Sequence, residues 1–269
     1  IVKGIVPGVT KPVALVALAE KGYLTLKLTA TGQGGHSSRP KHLTAIGKLA
    51  RAIQNLETNL MPADLRQPAA GIFDYLASEM PFSMRAVVAN RWLFEPILVS
   101  LLENTPATNA IIRTTTAPTL LPGTGTKENV IPRQASAIVN FRILPGDSVQ
   151  GVKDRVAQII NDADIKITQY GDPVEASNVS DHESSEFQLL HKTIRQVFPD
   201  TVVAPSLVIG GTDSKHYENI AENSFRFIPM RLEKEDLKRI HGKDERISIE
   251  NYGEIIQFYV QLLRNTAAE

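Results

Sequence analysis

The pattern of apolar and polar positions predicts two strands and a helix in the first part of the chain. Residues 12–19 form a continuous apolar run whose length and valines are typical of a buried strand. Residues 22–31 alternate between apolar and polar side chains, which predicts a half-exposed strand. Residues 43–56 carry apolar side chains at helical spacing and therefore predict an amphipathic helix.

The middle of the chain predicts the rest of an α+β unit. Residues 59–108 are rich in aromatic residues and prolines, which indicates short helices joined by proline turns. Further periodic segments follow, predicting strands at 109–120, 135–143 and 165–170 and a helix at 148–160. The resulting order is the ferredoxin-like β-α-β-β-α-β arrangement, an antiparallel sheet with two helices on one face.

From residue 184 onward, helices and strands alternate as in α/β proteins. The predicted elements are helices at 185–197, 214–220, 234–240 and 249–263 and strands at 202–209 and 225–229. The simplest architecture is an α+β domain at 21–171, with a helical insert at 59–108, placed within an α/β domain formed by 1–20 and 172–269. We expect this α/β domain to be incomplete at its N-terminus.

Composition excludes several classes of function. The chain has 269 residues with 29 basic and 29 acidic side chains, so nothing favours nucleic acid or an anionic membrane surface as a partner. The absence of cysteine excludes disulfides, cysteine-ligated zinc and thiol catalysis. No apolar run reaches the roughly 18 residues of a membrane span. The chain opens without Met or a signal peptide, which suggests a missing upstream segment and leaves the compartment unknown.

Two polar side chains stand where chemistry is possible. His241 ends the predicted helix 234–240, and neutral imidazole is a good zinc ligand, although a solvated histidine at a helix end also fits. Arg142 lies in an alternating strand, where it is either a surface arginine or a carboxylate ligand, since guanidinium binds carboxylate in a bidentate fork.

A glycine-rich turn follows the predicted strand 202–209. Gly210 and Gly211 would let a substrate approach the backbone, and Thr212 or Asp213 can cap the next helix. A cap without any role in binding is the alternative at this turn.

Several motifs occur in an order that is typical of one enzyme family. They are Gly32-Gln-Gly-Gly-His36-Ser-Ser, Glu128-Asn-Val-Ile-Pro132, Asn140-Phe-Arg142-Ile-Leu-Pro-Gly146, Val208-Ile-Gly-Gly-Thr-Asp-Ser-Lys-His216 and Arg239-Ile-His241-Gly-Lys-Asp-Glu-Arg246. With these motifs, the chain resembles the aminoacylase and carboxypeptidase S family of co-catalytic zinc metallopeptidases. The resemblance extends from residue 12 to residue 263 and is closest to the carboxypeptidase S branch, which includes enzymes that cleave N-acyl amino acids.

The resemblance implies a role for each candidate residue. His241 would supply one ligand of a two-zinc centre, and the Gly210–Asp213 turn would line the substrate pocket. Arg142 and Asn129 would meet the carboxylate of the substrate. His36, which by itself could be a cap-region histidine, would donate to the developing oxyanion, in dimeric members within the neighbouring subunit. Such a donor typically contributes about 2.7–4 kcal/mol to catalysis.

The chain departs from the family pattern in its metal ligands. The His-x-Asp motif, the bridging aspartate and the Glu-Glu pair of the family do not occur, and one histidine cannot provide the roughly three protein ligands of a catalytic zinc. We therefore expect a C-terminal portion of a zinc-dependent carboxypeptidase or N-acyl-amino-acid amidohydrolase. This portion, inactive alone, would act in the complete protein on small peptides or N-acyl amino acids and dimerise through residues 21–171. The alternative is a non-catalytic ligand-binding or dimerisation module.

Overall fold

The computed structural model describes residues 1–6, 8–125 and 127–267. The strands are β1 Val2–Lys3, β2 Val13–Glu20, β3 Gly22–Thr31, β4 Gly35–His36, β5 Thr115–Leu120, β6 Val130–Ile131, β7 Gln134–Ile143, β8 Ile165–Gln169, β9 Val202–Val208 and β10 Leu232–Glu233. The helices are α1 Ala45–Thr58, α2 Ala69–Leu76, α3 Phe82–Ala89, α4 Arg91–Glu103, α5 Pro106–Ile112, α6 Val149–Ile160, α7 Ser185–Val197 and α8 Ile249–Ala267. None of the described helices is both long and apolar enough to cross a membrane.

Four strands form an antiparallel sheet in the order β5, β7, β3, β8, here called the lid sheet. Strand β3 lies in its centre and pairs with β7 along its whole length and with β8 over Leu26–Ala30. Helices α1 and α6 share one hydrophobic core with the inner face of this sheet. The ferredoxin-like arrangement predicted from the sequence is therefore confirmed.

The alternating pattern of β3 decides which of its side chains enter the core of the lid sheet. Leu24, Leu26 and Leu28 are fully buried, and they pack with Phe141 of β7 beneath the two helices. Helix α6 begins at Ser148, whose hydroxyl accepts a hydrogen bond from the backbone of the first turn. The burial of every second side chain of β3 thus determines which face of the sheet the helices cover, and a local cap determines where α6 starts.

A second sheet has the order β10, β1, β2, β9, in which β2 and β9 are parallel. Successive side chains of β2 enter two different cores. Ala14, Val16 and Leu18 pack with α7 and α8, whereas Val13 and Leu15 pack with α2 and α3. Because both faces of β2 are covered, its sequence is continuously apolar rather than alternating.

The insert at 59–108 forms α2, α3 and α4, and its first helix packs directly on β9. The approach is close at Gly71, where an added Cβ would lie 3.3 Å from the Cβ of Pro205. The insert therefore supplies the second covering layer of the α/β sheet as well as connecting strands of the lid sheet. The domain boundaries at 20 and 171 stay a prediction.

Two of the predicted strands are shorter than expected. The first part of 109–120 belongs to α5, because the Thr105 cap and the proline after it start a helix that overrides the β-branched residues that follow. The segment 225–229 forms only a single bridge, between Arg226 and Ala17. It shares with β1 the edge of β2 that lies opposite β9, and this leaves room for little more.

Two predicted helices are wrong. Residues 214–220 contain only the 3₁₀ turn Asp213–His216, and residues 234–240 contain only the 3₁₀ turn Asp236–Lys238. Most side chains of both segments are exposed, so neither segment gains the apolar burial that stabilises a longer helix.

The packing of the lid sheet predicts a large effect at Phe141. We expect Phe141→Ala to lower the free energy of unfolding by about 3–5 kcal/mol, because the side chain is fully buried and its removal leaves a cavity. Phe82 is 83% exposed, so Phe82→Ala is the matched control and should cost less than about 0.5 kcal/mol. Urea unfolding followed by circular dichroism measures both, and equal losses would contradict this account of the core.

Candidate active site

The Gly210–Asp213 turn lies at the carboxyl ends of the parallel strands β2 and β9. This is the edge at which open α/β sheets bind their ligands. A Cβ added to Gly210 or Gly211 would meet no atom within 4 Å, so the backbone there borders open space. The location and the free space fit a surface that a substrate can approach.

One buried carboxylate organises this turn. Glu20, the last residue of β2, is 4% exposed. Its Oε2 accepts hydrogen bonds from the Thr212 backbone N–H at 2.9 Å, from the Thr212 hydroxyl at 2.5 Å and from the Ser214 hydroxyl at 3.2 Å. None of the sequence motifs marks Glu20 as a site residue, although a charged residue that ends a buried apolar run is a visible signal of a specific partner.

Arg226 neutralises the Glu20 carboxylate. Its Nε lies 3.4 Å from Glu20 Oε2 and donates to the Ser214 hydroxyl at 2.6 Å. Its Nη1 donates to the carbonyl oxygen of Ser224 at 2.9 Å. Its Nη2 makes no hydrogen bond within the described residues, and the Glu218 carboxylate lies 3.7 Å from it. Arg226, too, was missed from the sequence, because it stands in a segment without a recognisable motif.

Lys21 follows Glu20 and is buried among different partners. It is 3% exposed, and its Nζ donates to the carbonyl oxygens of Ala110 at 2.8 Å and Arg113 at 2.7 Å. Burial lowers the pKa of Lys21 from 10.5 to about 7; the charge of Asp147 acts in the opposite direction, and that of Arg142 lowers the pKa further. The pKa of Lys21 therefore depends in part on the charge of Arg142, a predicted substrate-binding residue.

Arg142 lies on the lid sheet and has no acidic partner within the part of the chain that the structure describes. It is partly buried, and its guanidinium carbon lies 4.8 Å from the ring centroid of Tyr23 on the neighbouring strand. Every other arginine that is partly or fully buried in the described residues pairs with an acid: Arg66, Arg91, Arg113, Arg226, Arg231 and Arg239. Arg142 is thus available for a carboxylate that the described chain does not supply.

His36 and Asn129 are brought together, although they are far apart in sequence. They belong to a two-stranded ribbon, in which β4 pairs with β6 and the Ser37 N–H donates to the Asn129 carbonyl oxygen at 3.1 Å. The Ser38 N–H donates to His36 Nδ1 at 3.2 Å, so in the neutral ring the proton is on Nε2. Both side chains are exposed, and the His36 Nε2–H is free to act as a donor to a bound group.

His241 lies in an exposed bend after the 3₁₀ turn Asp236–Lys238, with a φ of 58°. The described part of the chain contains no group of three or more His, Cys, Asp or Glu side chains that could hold a metal ion. A single exposed imidazole does not fit a zinc ion that takes about three protein ligands. The residues present here therefore do not form the zinc site that the sequence resemblance implies.

The predicted residues thus fall into separate groups: the Gly210–Asp213 turn, the His36–Asn129 ribbon, Arg142 and His241. No hydrogen bond or ion pair between described side chains joins one of these groups to another.

A family model for the peptidase dimerisation domain matches residues 18–168 of this chain. The chain belongs to the M20 peptidase dimerisation-domain family. The matched segment begins just before Glu20 and ends within β8, so it contains the lid sheet, both of its helices and the insert.

Curated relatives of this M20 chain are hydrolases or probable hydrolases by name. The chain is 46% identical over 260 residues to "Probable carboxypeptidase S-like 2" of Dictyostelium discoideum, covering 97% of this chain and 50% of that protein. It is 43% identical over 269 residues to "N-fatty-acyl-amino acid synthase/hydrolase PM20D1" of Xenopus tropicalis, covering 99% and 52%. The chain therefore spans about half the length of these relatives.

A solved structure agrees with the fold of this M20 chain. Human carnosine dipeptidase 1 superposes with a TM-score of 0.60 at 14% identity, covering 97% of this chain and 58% of that protein. At this identity the match supports the fold alone. The resemblance inferred from the motifs is confirmed by the family model and the curated relatives.

The buried Lys21 predicts a pH dependence of stability in this M20 chain. Its pKa is about 7 in the folded state and 10.5 ordinarily, so between these values the unfolded chain binds more protons and the folded state gains stability as pH rises. Lys21→Met leaves two carbonyls without their donor, which costs about 1–3 kcal/mol. We expect the stability lost in this variant to be larger at pH 10 than at pH 7, because each pH unit between the two pKa values contributes up to about 1.4 kcal/mol.

Urea unfolding at several pH values measures this difference. Lys192 is exposed on α7, so Lys192→Met is the control, and its effect should not change between pH 7 and pH 10. A stability loss in Lys21→Met that is the same at both pH values would contradict the assignment.

Proposed function

We propose that this chain is the C-terminal part of a zinc-dependent M20 carboxypeptidase or N-acyl-amino-acid amidohydrolase. The complete protein hydrolyses a peptide or N-acyl amide bond next to a free carboxylate. The observation that carries this proposal is the partly buried Arg142, which lacks the acidic partner that every comparable arginine in the described residues has. The names of the relatives, which include carboxypeptidase S-like proteins and fatty-acyl-amino acid hydrolases, support the same class of substrate.

The carboxylate of the substrate binds Arg142, with Asn129 and the Gly210–Asp213 turn as further contacts. A guanidinium binds a carboxylate through two parallel hydrogen bonds, which fixes its orientation as well as its charge. Stacking on Tyr23 supports this role, because it holds the guanidinium plane while leaving its edges free. At the turn, the open space beside Gly210 and Gly211 allows the substrate to approach the backbone.

His36 donates a hydrogen bond from its Nε2–H to the oxygen that becomes negatively charged as the amide carbonyl is attacked. Support comes from its tautomer, because Nδ1 is already an acceptor and leaves Nε2 as the donor. The residue is exposed on a ribbon beside the lid sheet, which is compatible with action in a neighbouring subunit. We propose a homodimer formed through this peptidase dimerisation domain.

Zinc is the metal of the complete enzyme in this proposal, and His241 provides one of its ligands. The remaining ligands and the general base lie in parts of the polypeptide outside this sequence, because the described residues contain no metal-holding cluster. In the complete enzyme, bound zinc would supply an activated water and would polarise the carbonyl. The 269-residue chain alone therefore hydrolyses neither dipeptides nor acyl amino acids.

A non-catalytic ligand-binding or dimerisation module is the second candidate. The lack of a metal-holding group among the described residues favours it. The coding sequence upstream of Ile1 distinguishes the two functions. A His-x-Asp motif and a Glu-Glu pair there support the enzyme, and a start codon directly before Ile1 supports the module.

Arg142→Lys tests the proposed carboxylate anchor in the complete enzyme. We expect the KM for substrates with a free carboxylate to rise about tenfold, with a small change in kcat, because lysine keeps the charge but loses the bidentate fork. C-terminally amidated substrates should show no such rise. Arg155→Lys, at an exposed position of α6, is the control. An equal effect on both kinds of substrate would remove Arg142 from the site.

Subunit complementation tests the role of His36. We expect His36→Ala and His241→Ala homodimers of the complete enzyme to be nearly inactive. Mixing them should restore activity, because one site of a heterodimer then combines an intact His241 with an intact His36 from the partner. Subunit exchange is verified by native mass spectrometry. Exchange without recovered activity would show that His36 does not serve the neighbouring subunit.

A further inference from the structure

The two charged residues at the end of β2 occupy a crossing between the two sheets. Strand β2 ends at Glu20 in the α/β sheet, and β3 begins at Gly22 in the lid sheet, so only Lys21 separates them. The chain returns to the α/β sheet through residues 174–177, and this second crossing is hydrogen-bonded to the first. The Tyr23 N–H donates to the Val174 carbonyl oxygen at 2.7 Å, and the Glu20 N–H donates to the Ser177 hydroxyl at 2.8 Å.

The crossing leaves almost no free space. A Cβ added to Gly22 would lie 2.6 Å from the Val174 carbonyl oxygen. The two connections between the sheets are therefore packed backbone to backbone, and a flexible linker is absent from this part of the structure.

Adjacent side chains at the crossing bind opposite parts of the candidate site. In an extended chain, successive side chains point to opposite faces. Glu20 accordingly binds the Gly210–Asp213 turn through the amide and hydroxyl of Thr212, whereas Lys21 binds carbonyls at the end of α5.

Three short contacts connect the Lys21 side to Arg142. Lys21 donates to the Arg113 carbonyl oxygen, and the next hydroxyl, that of Thr114, accepts from the Leu144 N–H at 2.8 Å. Thr115 then starts β5 and pairs with Arg142 in the lid sheet. Lys21 thus holds the segment that pairs with Arg142 on one side, and β3 pairs with Arg142 on the other side.

We propose that Glu20 and Lys21 are positioning residues that together hold the Gly210–Asp213 turn and Arg142 at a fixed separation. We call Glu20 and Lys21 the clamp. The turn and Arg142, which the clamp holds, then contact the same substrate, a point that rests on the function proposed above. The charges matter because a single carboxylate oxygen orients three donors at once, which an apolar side chain cannot do. Stability alone does not explain them, since well-packed apolar residues often replace buried charges without loss.

A distance measurement tests the clamp without any catalysis. Because the chain has no cysteine, spin labels attached to Arg155→Cys on α6 and Lys192→Cys on α7 report on the two sheets without background. We expect a narrow distance distribution by pulsed electron resonance in the parent chain. Glu20→Gln and Lys21→Met should each broaden it, and the double variant should broaden it more than either single variant.

A matched control separates the clamp from a general loss of stability. Lys11 forms an exposed ion pair with Glu79. Lys11→Met therefore also removes a lysine from its partner, but it should leave the distance distribution between the spin labels unchanged. If Glu20→Gln fails to fold, Lys21→Met still tests the proposal, because it keeps every bond to Glu20. Variants that lose stability but keep the parent distribution would overturn the clamp.

Kinetics of the complete enzyme provide the second readout. A misplacement of about 1 Å can cost about 100-fold in rate, so we expect Glu20→Gln and Lys21→Met each to lower kcat/KM by about 10- to 100-fold. Free-carboxylate substrates should lose more than amidated ones. Broadened distances together with unchanged kinetics would support the clamp and overturn the placement of the substrate in the proposed function. Unchanged distances would overturn the clamp regardless of activity.

Discussion

The structure depends on the burial of two ionisable side chains, a glutamate and a lysine, at the end of one strand. Glu20 and Lys21 are 4% and 3% exposed, and moving either charge out of water costs several kcal/mol unless specific partners replace the solvent. Those partners are therefore not interchangeable. The Thr212 backbone and hydroxyl must lie beside the carboxylate, and the end of α5 must lie beside the ammonium. This requirement ties the glycine-rich turn to Glu20 and the end of α5 to Lys21.

The insert at 59–108 contributes to the core of one sheet and to the connection with the other. Its helices α2 and α3 cover the face of the α/β sheet that α7 and α8 leave open, burying Val13 and Leu76. Helix α5 and the residue that follows it supply the carbonyl acceptors of Lys21, those of Ala110 and Arg113. One continuous segment therefore completes the core of one sheet and ties it to the other. Deleting this segment would expose the core of the α/β sheet and remove the acceptors of Lys21.

Much of the fold could be predicted from the sequence because burial follows local periodicity. The continuous apolar run before Glu20 and the alternation of β3 each indicated how many faces of the strand are covered. The predictions failed where local signals compete, as at α5, where a helix start precedes β-branched residues. They also failed at 214–220, where no apolar face stabilises a helix.

The sequence indicated which residues belong to the candidate site, but not how they are arranged in space. Motifs single out His36 and Asn129, yet their meeting depends on a ribbon between segments distant in sequence. Arg142 and Arg226 show why sequence alone does not separate function from structure. Both are arginines shielded from solvent, but Arg226 pairs with Glu20 and the Ser214 hydroxyl, while Arg142 lies against the Tyr23 ring and has no acidic partner among the described residues. A guanidinium that lacks an internal acid keeps its full capacity for an external one, and this difference exists only once the chain has folded.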